Sequence, residues 1–319
     1  MRSLSNLAHT RLPEALASST QKAYKAMFRL YLAFLIFIDI HPLQVNVDVI
    51  LAFLECLNFN LVTSSQLSNY LSAIKSFSFR FNLPIKCLED QKVSLYLRAV
   101  QKTTPAKIKL KPIIDIPFLK LLVNKCNSTF LGHIFKTAYL LGFFGFLRLS
   151  NLAPHSASSF SFLKHLAKGD IIFSNTGAIV VIKWAKTLQL FSQAKLLHLP
   201  FLNNELCPVR ALRECLSSVP GGNNAPLLQY KLQGVWTPMT DSRVRNHLKN
   251  VLQLLGRDPS FITFHTLRRS GASFAFNHNV SLQDIQRHGT WTSDCVWRYV
   301  TDSVDAGKQV ATMFTSLLV

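Results

Sequence analysis

One stretch decides how this chain can fold. Gln101-Lys-Thr-Thr-Pro-Ala-Lys-Ile-Lys-Leu-Lys-Pro112 carries two prolines and four lysines. Proline removes a backbone donor and fixes φ, and closely spaced lysines repel one another, so regular structure should stop here. The stretch reads as an extended, exposed linker that could also lie along a phosphate backbone. We therefore expect a helical unit over 1–104, a basic linker over 105–113 and a second unit over 114–319. A length of 319 residues suits two compact units.

Apolar residues make up 49% of the chain and include 24 Phe, so a sizeable core can be buried. Charged residues are scarce and one-sided: 35 Lys and Arg against 16 Asp and Glu, a net charge of +19. Residues 1–104 hold 11 basic and 6 acidic side chains and the remainder 24 and 10, so most of the excess follows the linker. Such a chain is expected to meet a polyanion, either nucleic acid or an anionic membrane surface. Length argues against a membrane span, because the apolar runs Leu30–Ile38 and Ala138–Leu147 fall far short of the roughly 20 residues a spanning helix needs. Cys56, Cys87, Cys126, Cys207, Cys215 and Cys295 form no CxxC pair, and no secretory signal is visible. Buried free thiols are expected rather than disulfides or a zinc site.

The first unit reads as a bundle of four helices. Ser18-Ser19-Thr20 offers an N-cap to a helix over Lys22–Ile38, whose Tyr24, Met27, Phe28, Tyr31, Phe34 and Leu35 recur at helical spacing. Further helices are expected at 46–57, 63–82 and 89–102, parted by Pro42, Asn58–Asn60 and Pro84. The second unit is mixed, with helices at 115–126 and 130–146, then strands at Gly169–Phe173, Ala178–Trp184 and Lys195–Leu199. Helices return at 207–217, 241–255, 265–277, 281–287, 292–301 and 306–318. The fold class is mainly α with one small antiparallel β-sheet.

Several signatures of nucleotide and hydrolase chemistry are absent: no GxxxxGK[ST], GxGxxG, GxSxG or HExxH occurs. The few acids are dispersed, which disfavours a two-metal nuclease, and no cofactor or metal is expected. What remains is a basic constellation ending in a tyrosine. Arg148 closes the apolar run Gly142-Phe-Phe-Gly-Phe-Leu-Arg148. Lys186 follows the second strand, with Lys183 and Lys195 as competitors. His265-Thr-Leu-Arg268-Arg269 opens a helix, its i, i+3 spacing setting His265 and Arg268 on one face. Trp297-Arg298-Tyr299 follows downstream. Each residue alone has a bland role: an arginine at a helix end answers the carbonyl dipole, and a lone tyrosine is usually a core or surface aromatic.

Taken together these residues resemble the tyrosine recombinase family of site-specific DNA recombinases and integrases. The match runs through Gly145-Phe-Leu-Arg148-Leu-Ser-Asn-Leu152, Ala185-Lys186-Thr187, His265-Thr-Leu-Arg268 and Tyr299, over nearly the whole chain. Leu206-Cys-Pro-Val-Arg-Ala-Leu212 and His288-Gly-Thr-Trp-Thr-Ser-Asp294 are similar to the eukaryotic mobile-element branch, the Crypton-like and DIRS-like recombinases. One position departs from the pattern. The family's Gly-His or Gly-Trp falls on Gly289-Thr290, with His288 and Trp291 on either side; Trp291 is favoured.

The resemblance implies a core-binding bundle followed by a catalytic domain, acting on double-stranded DNA. Arg148 and Arg268 would neutralise the phosphate, and Tyr299 would attack phosphorus to leave a 3′-phosphotyrosyl link. Lys186 would protonate the leaving 5′-oxygen, and His265 would move a proton near the nucleophile. Lys107, Lys109, Lys111, Arg243, Arg245 and Arg269, with Lys249, are candidate DNA contacts. The apolar stripe of 304–319 suggests a terminal helix linking protomers of a DNA-bound homotetramer, and a eukaryotic host would place the action in the nucleus. Rival readings are a non-catalytic DNA-binding descendant, a type IB topoisomerase and an anionic-membrane-binding helical protein.

Overall fold

The structure, a computed structural model, describes residues 16–104, 112–126, 129–184, 194–291 and 296–297. The chain divides into two compact units, Met1–Lys109 and Leu110–Val319. Among the described residues no helix is long and apolar enough to cross a membrane.

The first unit contains α1 (Ser18–Phe37), α2 (Val47–Phe59), α3 (Ser64–Arg80) and α4 (Gln91–Thr103). Side-chain caps mark where three of these helices begin: Asn46 accepts from Val49 N–H, Asp90 from Lys92 N–H, and Thr63 forms a capping box with Gln66. The expected cap of α1 is corrected. Ser18, Ser19 and Thr20 lie inside the helix, and Ala17 precedes it without a side-chain cap bond. Phe28, Tyr31 and Leu35 form the buried stripe of α1 and meet Ile50 and Phe53 of α2 and Leu67 and Ile74 of α3. The Phe53 ring lies 5.2 Å from Tyr31, edge to face.

In the second unit α5 (Ile116–Asn124) and α6 (Phe130–Phe144) lead to the one-turn α7 (Leu149–Leu152). β1 (Ile171–Phe173), β2 (Gly177–Ile182) and β3 (Lys195–Pro200) form an antiparallel sheet in that order. Then follow α8 (Pro208–Ser218), β4 (Gln229–Leu232), β5 (Val235–Pro238), α9 (Asp241–Leu254), α10 (Phe264–Asn277) and α11 (Leu282–His288). The β4–β5 hairpin corrects the expectation of a single sheet. Its strands are too short and mixed in character for a period-two pattern to stand out. The helices expected at 292–301 and 306–318 lie outside the described residues, apart from Val296 and Trp297.

α6 is the axis of this unit: Ile134, Ala138, Tyr139, Leu141 and Phe143 are all buried. It stops at Phe144, two residues short of the expected end. Gly145 follows, and Phe146 takes a left-handed φ of 47°, which turns the chain sharply into Leu147 and Arg148. Ala178, Val180 and Ile182 of β2 and Leu197 and Leu199 of β3 point into the core. The thiols of Cys126, Cys207 and Cys215 are buried, but Cys56 is exposed on α2, contrary to the expectation of burial throughout.

Candidate active site

Three chain segments meet at Arg268 of α10. Thr263 N–H bonds the Thr266 hydroxyl and so opens the helix, while Phe264 and Leu267 anchor it in the core. His265 then falls in its first turn and Arg268 at the start of its second. Arg268 is only 1% exposed, which is rare for an arginine and tolerable only when its N–H groups are answered. Its Nη1 donates to the Phe146 carbonyl and its Nη2 to the Gly289 carbonyl at 2.6 Å. The Trp291 ring lies under its guanidinium carbon at 4.0 Å. One arginine thus joins the turn that leads to Arg148, the helix that carries His265, and the turn after α11.

Both turns hold a strained residue. Phe146 has φ 47° and Thr290, next to Gly289, has φ 59°. A non-glycine residue in this region is unfavourable by about 1 kcal/mol, so charge-assisted hydrogen bonds to the adjoining carbonyls help to keep both turns as they are. Gly289 itself is needed for space. A Cβ there would sit 1.7 Å from Trp291 Cζ3, so the six-membered ring of the indole occupies the space a side chain would need.

Arg148 is half-buried and precedes α7. Its backbone N–H bonds Asn151 Oδ1 at 3.3 Å, and Asn151 Nδ2 donates to the Trp184 carbonyl at 2.8 Å. Buried Asn151 therefore ties the Arg148 turn to the residues just beyond β2. His265 is exposed, yet the crowding of its inner edge and the charges of Arg268, Arg148 and Arg269, in that order, push its pKa down to about 4. The imidazole is accordingly neutral at physiological pH. Because each of the three arginines acts on His265, all four side chains share one electrostatic neighbourhood.

The candidate lysines separate cleanly. Lys183 is engaged elsewhere, 2.8 Å from Asp170. Lys186 lies outside the described residues. Lys195 opens β3 opposite Ile182, and it shares the strand phase of the buried Leu197 and Leu199. Its ammonium is pushed below the usual lysine range, first by burial and then by the charge of Arg268. Lys195 thus lies on the core-facing phase of β3 within range of the Arg268 charge, a phase readable from the alternation Lys195, Leu197, Leu199.

Near the departure from the family pattern, Trp291 is buried, whereas His288 is half-buried and its Nε2–H donates to the Phe144 carbonyl at 2.8 Å. The Phe146 ring meets the His288 ring edge to face at 4.6 Å. Burial lowers the His288 pKa, with Lys195, Arg268 and His198 contributing and the bond to Phe144 opposing. Tyr299 and the linker lysines Lys107, Lys109 and Lys111 lie outside the described residues. Arg269 donates through Nη2 to the Pro112 carbonyl, a contact within its own unit. On α9, exposed Arg243 stacks over Tyr230 at 4.0 Å, and Arg245 lies 3.6 Å from Asp241. Sequence reading misses Asn151 and the two carbonyls that hold Arg268. Asn151 has a local signal, its place three residues after Arg148, but carbonyl direction has none.

No family model matches the sequence, and no curated protein matches it. Solved structures do. The Tn1549 transposon integrase in complex with transposon right end DNA is similar with a TM-score of 0.62 and 12% identity, covering 94% of this chain and 95% of that one. The XerH site-specific recombinase on a palindromic difH substrate gives a TM-score of 0.62 and 14% identity, over 93% and 79% of the two chains. A lambda integrase dimer bound to a core site gives a TM-score of 0.55 and 14% identity, over 95% and 96%. At such identities the likeness establishes architecture: this chain has the fold of the tyrosine recombinases and integrases.

Proposed function

We propose that this protein breaks and rejoins duplex DNA through a 3′-phosphotyrosyl intermediate, as a site-specific recombinase or integrase. The observation that carries the reading is the convergence of Arg148, His265, Arg268 and Lys195 in a chain of this fold. Two guanidinium groups neutralise the non-bridging oxygens of one phosphodiester, which makes phosphorus attackable. The Tyr299 oxygen forms the bond to phosphorus while the bond to the 5′-oxygen breaks. The tyrosine proton passes to His265, whose depressed pKa keeps it a neutral acceptor, and the leaving 5′-oxygen takes a proton from a lysine. Lys186 is the donor by its place before Thr187; Lys195 is the competitor, favoured by its phase in β3. Religation reverses each transfer.

In this reading the helical unit 1–104 and the catalytic unit 114–319 bind the duplex, with Lys107, Lys109 and Lys111 along its backbone. The segment 304–319 links the protomers of a homotetramer, and the chain derives from a eukaryotic mobile element of the Crypton or DIRS kind acting in the nucleus. The test uses nicked suicide duplexes carrying candidate element ends. A covalent adduct that survives denaturant, formed by the wild type and absent from Tyr299→Phe, supports the reading; equal yields would remove Tyr299 as nucleophile.

One observation favours a second reading, DNA binding without catalysis. Arg268 is 1% exposed, and two of its N–H groups are directed to main-chain carbonyls. A protein that binds duplex tightly yet gives no adduct on any nicked substrate would support it.

A further inference from the structure

The guanidinium plane of Arg268 is fixed from two directions. Its edge donates to the carbonyls of Phe146 and Gly289, and its face rests on Trp291 at 4.0 Å. In-plane bonds alone leave a guanidinium free to tilt about the line joining them; a ring against its face removes that tilt. The ring is itself fixed. Trp291 is 5% exposed, its backbone N–H bonds the Gln286 carbonyl at 3.0 Å, and its six-membered ring lies on Gly289. Its neighbours Phe146, Ala272, Ile285 and Val296 enclose it in a small apolar cluster of its own.

We propose that Trp291 is a positioning residue that orients Arg268 through the face of its indole, rather than a group that reaches the phosphate through its indole N–H. The inference rests on the recombinase reading above and names how one position of that site works. It also explains the glycine. Gly289 has φ −83°, a conformation any residue adopts, so its lack of a side chain serves only to seat the ring.

Two substitutions separate ring face from N–H. Trp291→Phe keeps an aromatic face and has no N–H; Trp291→His keeps an N–H donor on a smaller, titratable ring. With a pool of nicked duplexes carrying a randomised core, adduct formation by Trp291→Phe should stay within about threefold of wild type, and Trp291→His and Trp291→Leu should fall about tenfold or more. Retention by His with loss by Phe would overturn the proposal in favour of a phosphate contact. A stability cycle on the full chain adds a measurement independent of DNA. Gly289→Ala should lower the denaturant midpoint in the wild type and be nearly silent in Trp291→Leu, because the indole ring is what the new methyl group meets. Equal losses in both backgrounds would overturn the seating of the ring and the proposal with it. If the wild type forms no adduct across the pool, the recombinase reading falls and takes this inference with it. An adduct with wild type that Trp291→Phe abolishes removes only the inference.

Discussion

Gly271→Ala should be among the most damaging single-methyl changes in the second unit. Gly271 lies three residues after Arg268 on α10, where that helix crosses α6. An added Cβ would stand 2.0 Å from the Phe143 carbonyl oxygen and 2.8 Å from Phe146 Cε1, far inside the 3.4 Å at which ordinary contact begins. The obstacle is backbone, so no rotamer change relieves it, and the helices must part by about 1.4 Å along that contact. Overpacking of this kind is unfavourable by about 1–3 kcal/mol and more where backbone must shift; alanine returns up to about 1 kcal/mol through helix propensity. A net loss near 3 kcal/mol lowers Tm by roughly 6–12 °C for a unit of this size. Gly142→Ala is the matched control. Its Cβ meets the edge of the Phe264 ring at 3.0 Å, and a side chain can yield where a carbonyl cannot. Scanning calorimetry of both variants decides the matter. A Gly271→Ala protein melting within about 1 °C of wild type would refute the close crossing of α6 and α10, and with it the route by which Arg268 reaches the Phe146 carbonyl.

Further outcomes follow from the charges. Lys195→Met should reduce adduct formation by about tenfold or more if the buried-phase lysine donates the proton, whereas loss confined to Lys186→Met would assign that role to the lysine before Thr187. Folding stability should fall as pH drops below neutrality. His247, whose Nδ1 is hydrogen-bonded to the Tyr139 hydroxyl at 2.6 Å and whose ring stacks on Phe135, has its pKa depressed to about 4 by burial. Between about 6.5 and 4 the unfolded chain binds a proton that the folded one refuses, so stability is full above that window and is lost through it by up to about 1.4 kcal/mol per pH unit. His247→Gln should flatten the dependence of the denaturant midpoint between pH 7 and pH 4.5, and an unchanged slope would refute the assignment. Duplex binding should weaken with salt, and Arg243→Gln should reduce the slope of log affinity against log salt by about one. Arg245→Gln should reduce it less, because Asp241 already faces that charge.

Much of this architecture is legible in the sequence because helices announce themselves by period. Phe28, Tyr31 and Leu35 repeat at the spacing of one helical face, and those three residues are the buried stripe of α1. β4 and β5 carry no such announcement. They are four residues each, and only Tyr230 and Gln229 of the pair are buried. Local chemistry is also a weaker guide than tertiary packing at helix ends: three good capping residues, Ser18 to Thr20, are taken inside α1 instead.

The candidate site divides along the same line. Side chains can be assigned from motif and spacing, so Arg148, His265 and Arg268 stand out in the amino-acid sequence alone. What cannot be read there is the direction of main-chain carbonyls, since φ and ψ at Phe146 and Thr290 depend on how α6 and α11 terminate against each other. Those two turns determine where Arg268 is held, and they are the strained points of the site. Lys195 shows the intermediate case. Its strand phase is readable, but that this phase comes within range of the Arg268 charge is set by tertiary packing. The excess of positive charge after residue 104 therefore does two different things. Exposed cations such as Arg243 remain at the surface, where they can attract a polyanion. Arg268 instead directs its charge to the protein's own backbone and brings the turn before Arg148, α10 and the Trp291 turn into one arrangement.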